Sequence, residues 1–228
     1  MAGRCLLYYI TDRTQFPGDE SARRRALLAK IADAARSGVD YIQLREKDLT
    51  TRALEQLAGE VVKIARESSA LRTENRELRT RLLINSRADV ALAAAADGFH
   101  LRADDISVPE ARTIWDKALA RSSQLAARSP LIAVSCHTAA AVLHAESEGA
   151  DFAVFAPVFE KRDRPGTQPA GLAALREACR SKIHVLALGG VTLANAASCL
   201  EARAAGIAAI RLFQENKIED VVRMLRAL

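Results

Sequence analysis

The sequence is short of aromatic residues, of long apolar runs and of paired cysteines, and each shortage excludes a class of protein. Aromatic residues make up 4% of the 228-residue chain, too few for the stacking platforms on which single-stranded nucleic acid binds. The four cysteines, Cys5, Cys136, Cys179 and Cys199, lie far apart and form no CxxC pair. That spacing fits reduced thiols better than a disulfide frame or a zinc site. The longest apolar runs, such as Ala91–Ala96, fall well below the ~18 residues a membrane span needs. The first residues, Met1 to Leu6, carry no apolar signal stretch with a cleavage site, so a cytoplasmic location is expected. Thr11-Asp12-Arg13-Thr14, after the first strand-like run, is not the glycine fingerprint of a dinucleotide-binding open sheet.

What is present is an ordinary core. Half the residues are hydrophobic, and 33 Lys and Arg stand against 28 Asp and Glu, for a net charge of +5. Much of the positive charge is arginine scattered along helical patterns, including Arg23-Arg24-Arg25, Arg36, Arg66 and Arg79. Nucleic-acid binders concentrate charge on one face instead, so no nucleic acid and no membrane is expected as a partner. A chain of this length accommodates one α/β barrel, and one domain over 1–228 is expected.

Eight short apolar runs alternate with helical patterns. The strands are read at Leu6–Ile10, Tyr41–Leu44, Leu82–Asn85, Gly98–Leu101, Leu131–Ser135, Phe152–Ala156, His184–Leu188 and Ile207–Leu212. The helices are read at Ser21–Ser37, Thr50–Glu67, Arg87–Ala94, Val108–Leu119, Thr138–Glu148, Gly171–Cys179, Leu193–Glu201 and Ile218–Leu228, with Ser21 capping the first. The strands lack clean alternation, as parallel strands covered by helices do. A small-small-Asp-X-apolar pattern recurs at Asp40, Asp97 and Asp151, with a weaker copy at Ala204-Ala205-Gly206. The repeat falls about every two βα units. The fold class is therefore α/β, a (β/α)8 TIM barrel.

Chemistry in such a barrel sits at the C-terminal ends of the strands, so the polar residues there are the candidates. After strand two, Gln43, Arg45 and Lys47 share one parity, with Leu44 and Glu46 opposite. An inward cationic row is costly unless an anion meets it, although a pairing of Arg45 with Glu46 stays open. Strand three ends Asn85-Ser86-Arg87, and Asp104-Asp105 follow strand four. This acidic pair serves either as hard-metal ligands or as a helix cap. Ser135 and His137 face the mouth at the end of strand five, with Cys136 turned outward and Thr138 capping the next helix. Gly189-Gly190 before a helix offers backbone N–H groups to a phosphate. Arg211 ends strand eight, and the charged loop from Glu160 to Gly166 is either solvated or a lid. Together these point to a small phosphorylated substrate with a divalent metal.

In this order the motifs resemble the thiamine phosphate synthase and thiazole tautomerase superfamily. The match is carried by Tyr9-Ile10-Thr11-Asp12, Tyr41-Ile42-Gln43-Leu44-Arg45-Glu46-Lys47, Leu83-Ile84-Asn85-Ser86-Arg87-Ala88-Asp89, Ala96-Asp97-Gly98-Phe99-His100-Leu101, Val134-Ser135-Cys136-His137-Thr138, Gly149-Ala150-Asp151 through Phe159, and Leu188-Gly189-Gly190-Val191-Thr192. It spans nearly the whole chain. The resemblance implies a synthase that joins a hydroxymethylpyrimidine diphosphate to a thiazole phosphate and releases pyrophosphate. It implies that Gln43, Arg45, Lys47 and Asn85 hold the diphosphate and pyrimidine, that Ser135 binds diphosphate, and that Gly189 and Gly190 cradle the thiazole phosphate. Asp105 would be a ligand of Mg2+, the expected cofactor. Arg45, Lys47, Ser135 and His137 are the expected catalytic residues.

Three positions depart from the pattern. Ser86 stands where the synthases carry a metal-binding Asp. Arg164 stands in for the lysine of the strand-six loop, and Arg211 for a phosphate-binding serine. The superfamily also contains metal-independent tautomerases, which use the histidine at the position of His137, and Val158-Phe159-Glu160 is closer to theirs. The synthase is the preferred reading, with a tautomerase or an inactive phosphate-binding paralogue as alternatives. Small phosphorylated substrates are the expected partners, and a homodimer stays open.

Overall fold

Eight parallel strands close on one another in sequence order, with the last paired to the first. The computed structural model describes residues 4–71, 79–120, 129–160, 162, 166 and 168–228. The strands are β1 (Leu6–Ile10), β2 (Tyr41–Leu44), β3 (Arg81–Asn85), β4 (Gly98–Leu101), β5 (Leu131–Cys136), β6 (Phe152–Phe155), β7 (His184–Ala187) and β8 (Gly206–Ala209). The helices among the described residues are α1 (Glu20–Ser37), α2 (Thr51–Ala70), α3 (Ala88–Ala93), α4 (Val108–Ala120), α5 (Ala139–Ser147), α6 (Gly171–Ala178), α7 (Ala196–Glu201), α8 (Arg211–Gln214) and α9 (Ile218–Arg226). The chain is the expected (β/α)8 barrel. No helix among the described residues is long and apolar enough to cross a membrane.

Two corrections concern helix caps. The cap of α1 is Asp19, whose carboxylate accepts from the Ala22 N–H at 2.8 Å, and Ser21 lies inside the helix. A carboxylate at the N-terminus also meets the positive end of the helix dipole, which a serine does not. Neither Asp104 nor Asp105 caps α4. Ser107 and Glu110 form a reciprocal capping box there: Ser107 N–H donates to the Glu110 carboxylate at 2.9 Å, and Glu110 N–H to Ser107 Oγ at 3.4 Å. Thr138 caps α5 as expected, and Thr50 caps α2. The charged segment after Glu67 continues α2 to Ala70, and 72–78 lie outside the described residues.

The register arranges the barrel interior in layers of four from alternate strands, as closed parallel barrels require. The floor comes from the even strands: Tyr41, Gly98, Phe152 and Gly206. Tyr41 and Phe152 stack at 4.8 Å between ring centroids, and at the two glycines an added Cβ would run into the backbone of Leu131 and of Leu6. Above lie Tyr8, Leu83, Ala133 and Leu186 from the odd strands, then Gln43, His100, Val154 and Ala208, then Ile10, Asn85, Ser135 and Leu188. Polar side chains begin at the Tyr8 hydroxyl and continue upward to Asn85 and Ser135. The outward residues, such as Ile42, Phe99 and Ile207, pack with helix residues such as Leu57 and Val61 in the larger core. Each such fully buried side chain contributes roughly 1.5–3 kcal/mol.

The recurring aspartates have a physical role at the bottom of the barrel. Asp40, Asp97 and Asp151 each accept the backbone N–H of the preceding odd strand, from Leu7 at 2.7 Å, Leu82 at 2.8 Å and Ile132 at 2.7 Å. Each returns its own N–H to the carbonyl of that same residue. Two residues before each of them, Gly38, Ala95 and Gly149 turn the chain with positive φ, as Arg203 does in the fourth copy. The carboxylate thus supplies the acceptor that the neighbouring strand is too short to provide. In the fourth copy Ala205 gives only the backbone bond, to Val185.

Candidate functional site

A line of hydrogen bonds crosses the upper interior. Gln43 Nε2 donates to the Tyr8 hydroxyl at 2.9 Å, the hydroxyl meets His100 Nδ1 at 3.1 Å, and His100 Nε2 meets Ser135 Oγ at 2.7 Å. Gln43, Tyr8 and His100 are buried, and Ser135 is half-buried at the mouth. Burial, then the nearby Arg45 charge, push His100 down to about 3, against an opposing pull from Asp105. His100 is therefore a neutral imidazole at neutral pH.

The loop after β2 is held from outside by a buried arginine. The strand ends at Leu44, so Arg45 and Lys47 belong to the loop, half-buried and exposed respectively. Glu46, between them, accepts from the Thr11 hydroxyl at 2.5 Å and from Arg13 N–H at 2.9 Å, and pairs with the Arg13 guanidinium at 3.2 Å. Glu46 thus turns to Arg13, and the expected alternative of an Arg45–Glu46 pair gives way to this one. Arg13 also forks onto Asp48 and reaches Glu20. A buried guanidinium needs such partners to offset its lost hydration. Burial holds Glu46 above the usual carboxylate range despite Thr11 and Arg13, whereas the Arg13 hydrogen bonds hold exposed Asp48 below it. Thr11 Oγ1 also accepts from Arg45 N–H at 3.0 Å. The backbone carrying the cation is thereby fixed.

At the ends of β3 and β4 a second line forms. Asn85 Nδ2 donates to Ser86 Oγ at 3.2 Å, and Ser86 Oγ donates to Asp105 Oδ2 at 2.7 Å. Asp105 also accepts from Arg102, by its N–H at 2.7 Å and its Nε at 3.3 Å. On the far side, Phe159 N–H donates to the Gly189 carbonyl and Val158 N–H to that of Leu188, so the β6 loop runs against the end of β7. A Cβ on Gly190 would lie 2.4 Å from the Glu160 carbonyl oxygen, so only glycine fits there. Among the described residues the Gly189 and Gly190 N–H groups make no protein hydrogen bond. No helix follows them directly, contrary to expectation, because α7 starts at Ala196. The cradle is a turn and not a helix N-terminus.

A model of the family described as thiamine monophosphate synthase matches residues 7–213. This chain belongs to that family. A relative from Geobacter sulfurreducens, named a putative thiamine-phosphate synthase, is 39% identical over 90% of this chain and 84% of its own. A thiamine-phosphate synthase from Syntrophomonas wolfei is 34% identical over 97% and 95%. Among solved structures, thiamine phosphate pyrophosphorylase from Pyrococcus furiosus matches with a TM-score of 0.74 at 28% identity, over 97% of this chain and 94% of that one. A 3-hexulose-6-phosphate synthase from Salmonella typhimurium, TM-score 0.62 at 11% identity, shares the fold.

The expected residues do not all fall together. Gln43, Ser135, Asn85 and Asp105 enter the two hydrogen-bonded lines, and Arg45 follows the end of β2, half-buried. His137 stands apart: its Nδ1 meets the Ala156 carbonyl at 2.7 Å, at the end of β6. Arg211 does not end a strand. β8 stops at Ala209, and Arg211 opens α8, because the backbone turns helical at Ile210. Arg164 lies outside the described residues.

The sequence reading gave no role to Tyr8, His100 or Arg13. A polar residue at inward parity in the middle of a strand marks the first two. Arg13 leaves no such mark, because two of its three carboxylates, Glu46 and Asp48, come from the loop after β2.

The donor set tests the expected Mg2+. It comprises one carboxylate, Asp105, with the Ser86 hydroxyl and the Asn85 amide beside it, and among the described residues no cluster of three His, Cys, Asp or Glu forms. Both Asp105 oxygens already accept hydrogen bonds. Mg2+ binds readily through one or two carboxylates plus substrate phosphate. The residues fit a cation that arrives with a diphosphate, and they do not make a free-standing metal centre.

Proposed function

We propose that this chain is a thiamine-phosphate synthase that condenses hydroxymethylpyrimidine diphosphate with thiazole phosphate, giving thiamine phosphate and pyrophosphate, with one barrel domain serving the reaction. The observation that carries the reading is the pair of hydrogen-bonded lines at the barrel mouth, Gln43–Tyr8–His100–Ser135 and Asn85–Ser86–Asp105, with Arg45 directly after the end of β2. Hydroxyls, a single carboxylate and a cation suit a leaving group that is itself polyanionic.

In the reaction the bond between the pyrimidine methylene and the diphosphate oxygen breaks, and its electron pair leaves with the oxygen. The thiazole nitrogen then supplies the pair for the new carbon–nitrogen bond. Charge therefore grows on the diphosphate, and fixed cations and hydroxyls aimed at it lower the barrier. Arg45 and Lys47 take that charge, with Ser135 donating to a diphosphate oxygen. Gln43 and Asn85 orient the pyrimidine end. The N–H groups of Gly189 and Gly190, which meet no acceptor among the described residues, receive the thiazole phosphate, and Arg211 and Arg164 are the further cations that the family resemblance assigns to substrate binding. When bound, Mg2+ supplies additional neutralisation of the diphosphate, and Asp105, Ser86 and Asn85 are the residues that would hold it.

The test is a coupled assay with both substrates across a Mg2+ titration. Thiamine phosphate and pyrophosphate are expected in equal amounts. Absence of product at every Mg2+ concentration removes the reading. Ser86→Asp restores a second carboxylate at a position with φ of 56°, which Asp tolerates. It is expected to lower the Mg2+ concentration for half-maximal rate on the order of tenfold, the scale on which neighbouring ligands tune metal affinity.

A further inference from the structure

The line from Gln43 to Ser135 has a direction. The Gln43 amide nitrogen can only donate, so the Tyr8 oxygen accepts there and its own proton is left for His100 Nδ1. A neutral imidazole that accepts at Nδ1 carries its proton on Nε2. Nε2 then donates to Ser135 Oγ at 2.7 Å. A serine oxygen occupied as an acceptor from below keeps its own proton for the open side, which is the barrel mouth. The groups around His100 agree. Tyr8 is fully buried and burial holds its hydroxyl well above the ordinary range, so it stays protonated. An imidazole that accepts at Nδ1 is neutral, so the direction of the line fixes its protonation as well. The reverse direction would turn the Ser135 proton inward and aim oxygen lone pairs at an anionic ligand.

We propose that His100, oriented by Tyr8, is a positioning residue that locks the Ser135 hydroxyl as a hydrogen-bond donor toward the substrate diphosphate. His100 touches no substrate. It acts through Ser135, so the proposal rests on the reading that Ser135 meets the diphosphate. It accounts for a buried histidine and tyrosine that the reaction itself does not consume, and for a histidine whose protonation is set far from neutrality.

Nitrogen NMR of the histidine side chains in the intact protein tests the direction without any assay. The His100 resonances, assigned by their loss in His100→Gln, are expected to report the neutral Nε2–H form from about pH 5 to 8. The Nδ1–H form would overturn the proposal. Tyr8→Phe removes the proton given to Nδ1 and is expected to mix the two forms; an unchanged tautomer counts against the role of Tyr8.

Kinetics test the consequence. His100→Asn loses the donor to Ser135 and is expected to lower kcat/KM for the diphosphate substrate roughly 10–100-fold, the range for losing one hydrogen bond to a charged group. His100→Gln places an amide nitrogen near Nε2 and is expected to recover most of that loss. In a Ser135→Ala background His100→Asn is expected to add nothing, and additive losses overturn the proposal. If Ser135→Ala itself leaves kcat/KM unchanged, the diphosphate role of Ser135 fails, while the tautomer still reports on the line alone.

Discussion

Arg45→Ala is expected to reduce kcat/KM by roughly 10²–10³-fold, the range seen when one fixed donor to developing negative charge is removed. The reason lies in where Arg45 stands. It follows the last residue of β2, half-buried, and its charge reaches His100 inside the barrel. Its backbone N–H is pinned by Thr11, and the next residue is pinned by Arg13. The backbone from which the guanidinium reaches is therefore fixed, and only the side chain has to be ordered when the diphosphate binds. Lysine keeps the charge but not the planar fork, so Arg45→Lys should fall between alanine and the parent. Steady-state kinetics with saturating Mg2+ check this, with thermal unfolding to show that the fold survives. Turnover within tenfold of the parent would take Arg45 out of the diphosphate site.

Gly98→Ala is expected to prevent the barrel from forming. A Cβ there would lie 1.9 Å from the Leu131 carbonyl oxygen and 2.7 Å from its nitrogen, both backbone atoms of the neighbouring strand. No rotamer relieves a clash between two main chains, and the strand cannot shift outward without breaking its ladders to β3 and β5. Overpacking in an ordinary core costs about 1–3 kcal/mol because side chains give way. Here none can, so the cost exceeds that range and approaches the 5–15 kcal/mol of a whole domain. The contrast is Gly59→Ala in α2, where an added Cβ meets nothing within 4 Å. That change should stabilise by about 0.4–1 kcal/mol through lost freedom of the unfolded chain. Soluble yield and urea unfolding of the two variants, made side by side, test both signs. A Gly98→Ala protein with the parent's midpoint would contradict the floor described above.

Most of the barrel was legible because its signals are local. Parallel strands read as short apolar runs, and the Asp40, Asp97 and Asp151 pattern marked every second strand. The last three residues of strand eight's reading, Ile210 to Leu212, show the limit. Ile207 to Leu212 is apolar throughout apart from Arg211, and a buried helix of four residues has the same composition as a strand end. Arg211 was misplaced for that reason. The site was legible where parity and chain order suffice, as for Gln43, Asn85 and Ser135. It was illegible where partners come from distant segments. Arg13 joins Glu20, Glu46 and Asp48 only after β1 and β2 are side by side. His100 lies in one of the motifs that carry the resemblance, but its partner Tyr8 is 92 residues away.

The missing fourth carboxylate has a dynamic consequence. In three quarters of the barrel the lower rim is closed by a carboxylate on the amide of Leu7, Leu82 or Ile132. In the quarter formed by β7 and β8, Ala205 faces Val185 with its backbone alone. Amide exchange reads local opening, which runs from near zero up to the global stability within one domain. Val185 should exchange faster than its three counterparts, and Ala205→Asp should slow it. The seam expected to loosen first is then the one whose upper end carries Gly189 and Gly190, so the barrel would be softest along the wall proposed to receive the thiazole phosphate.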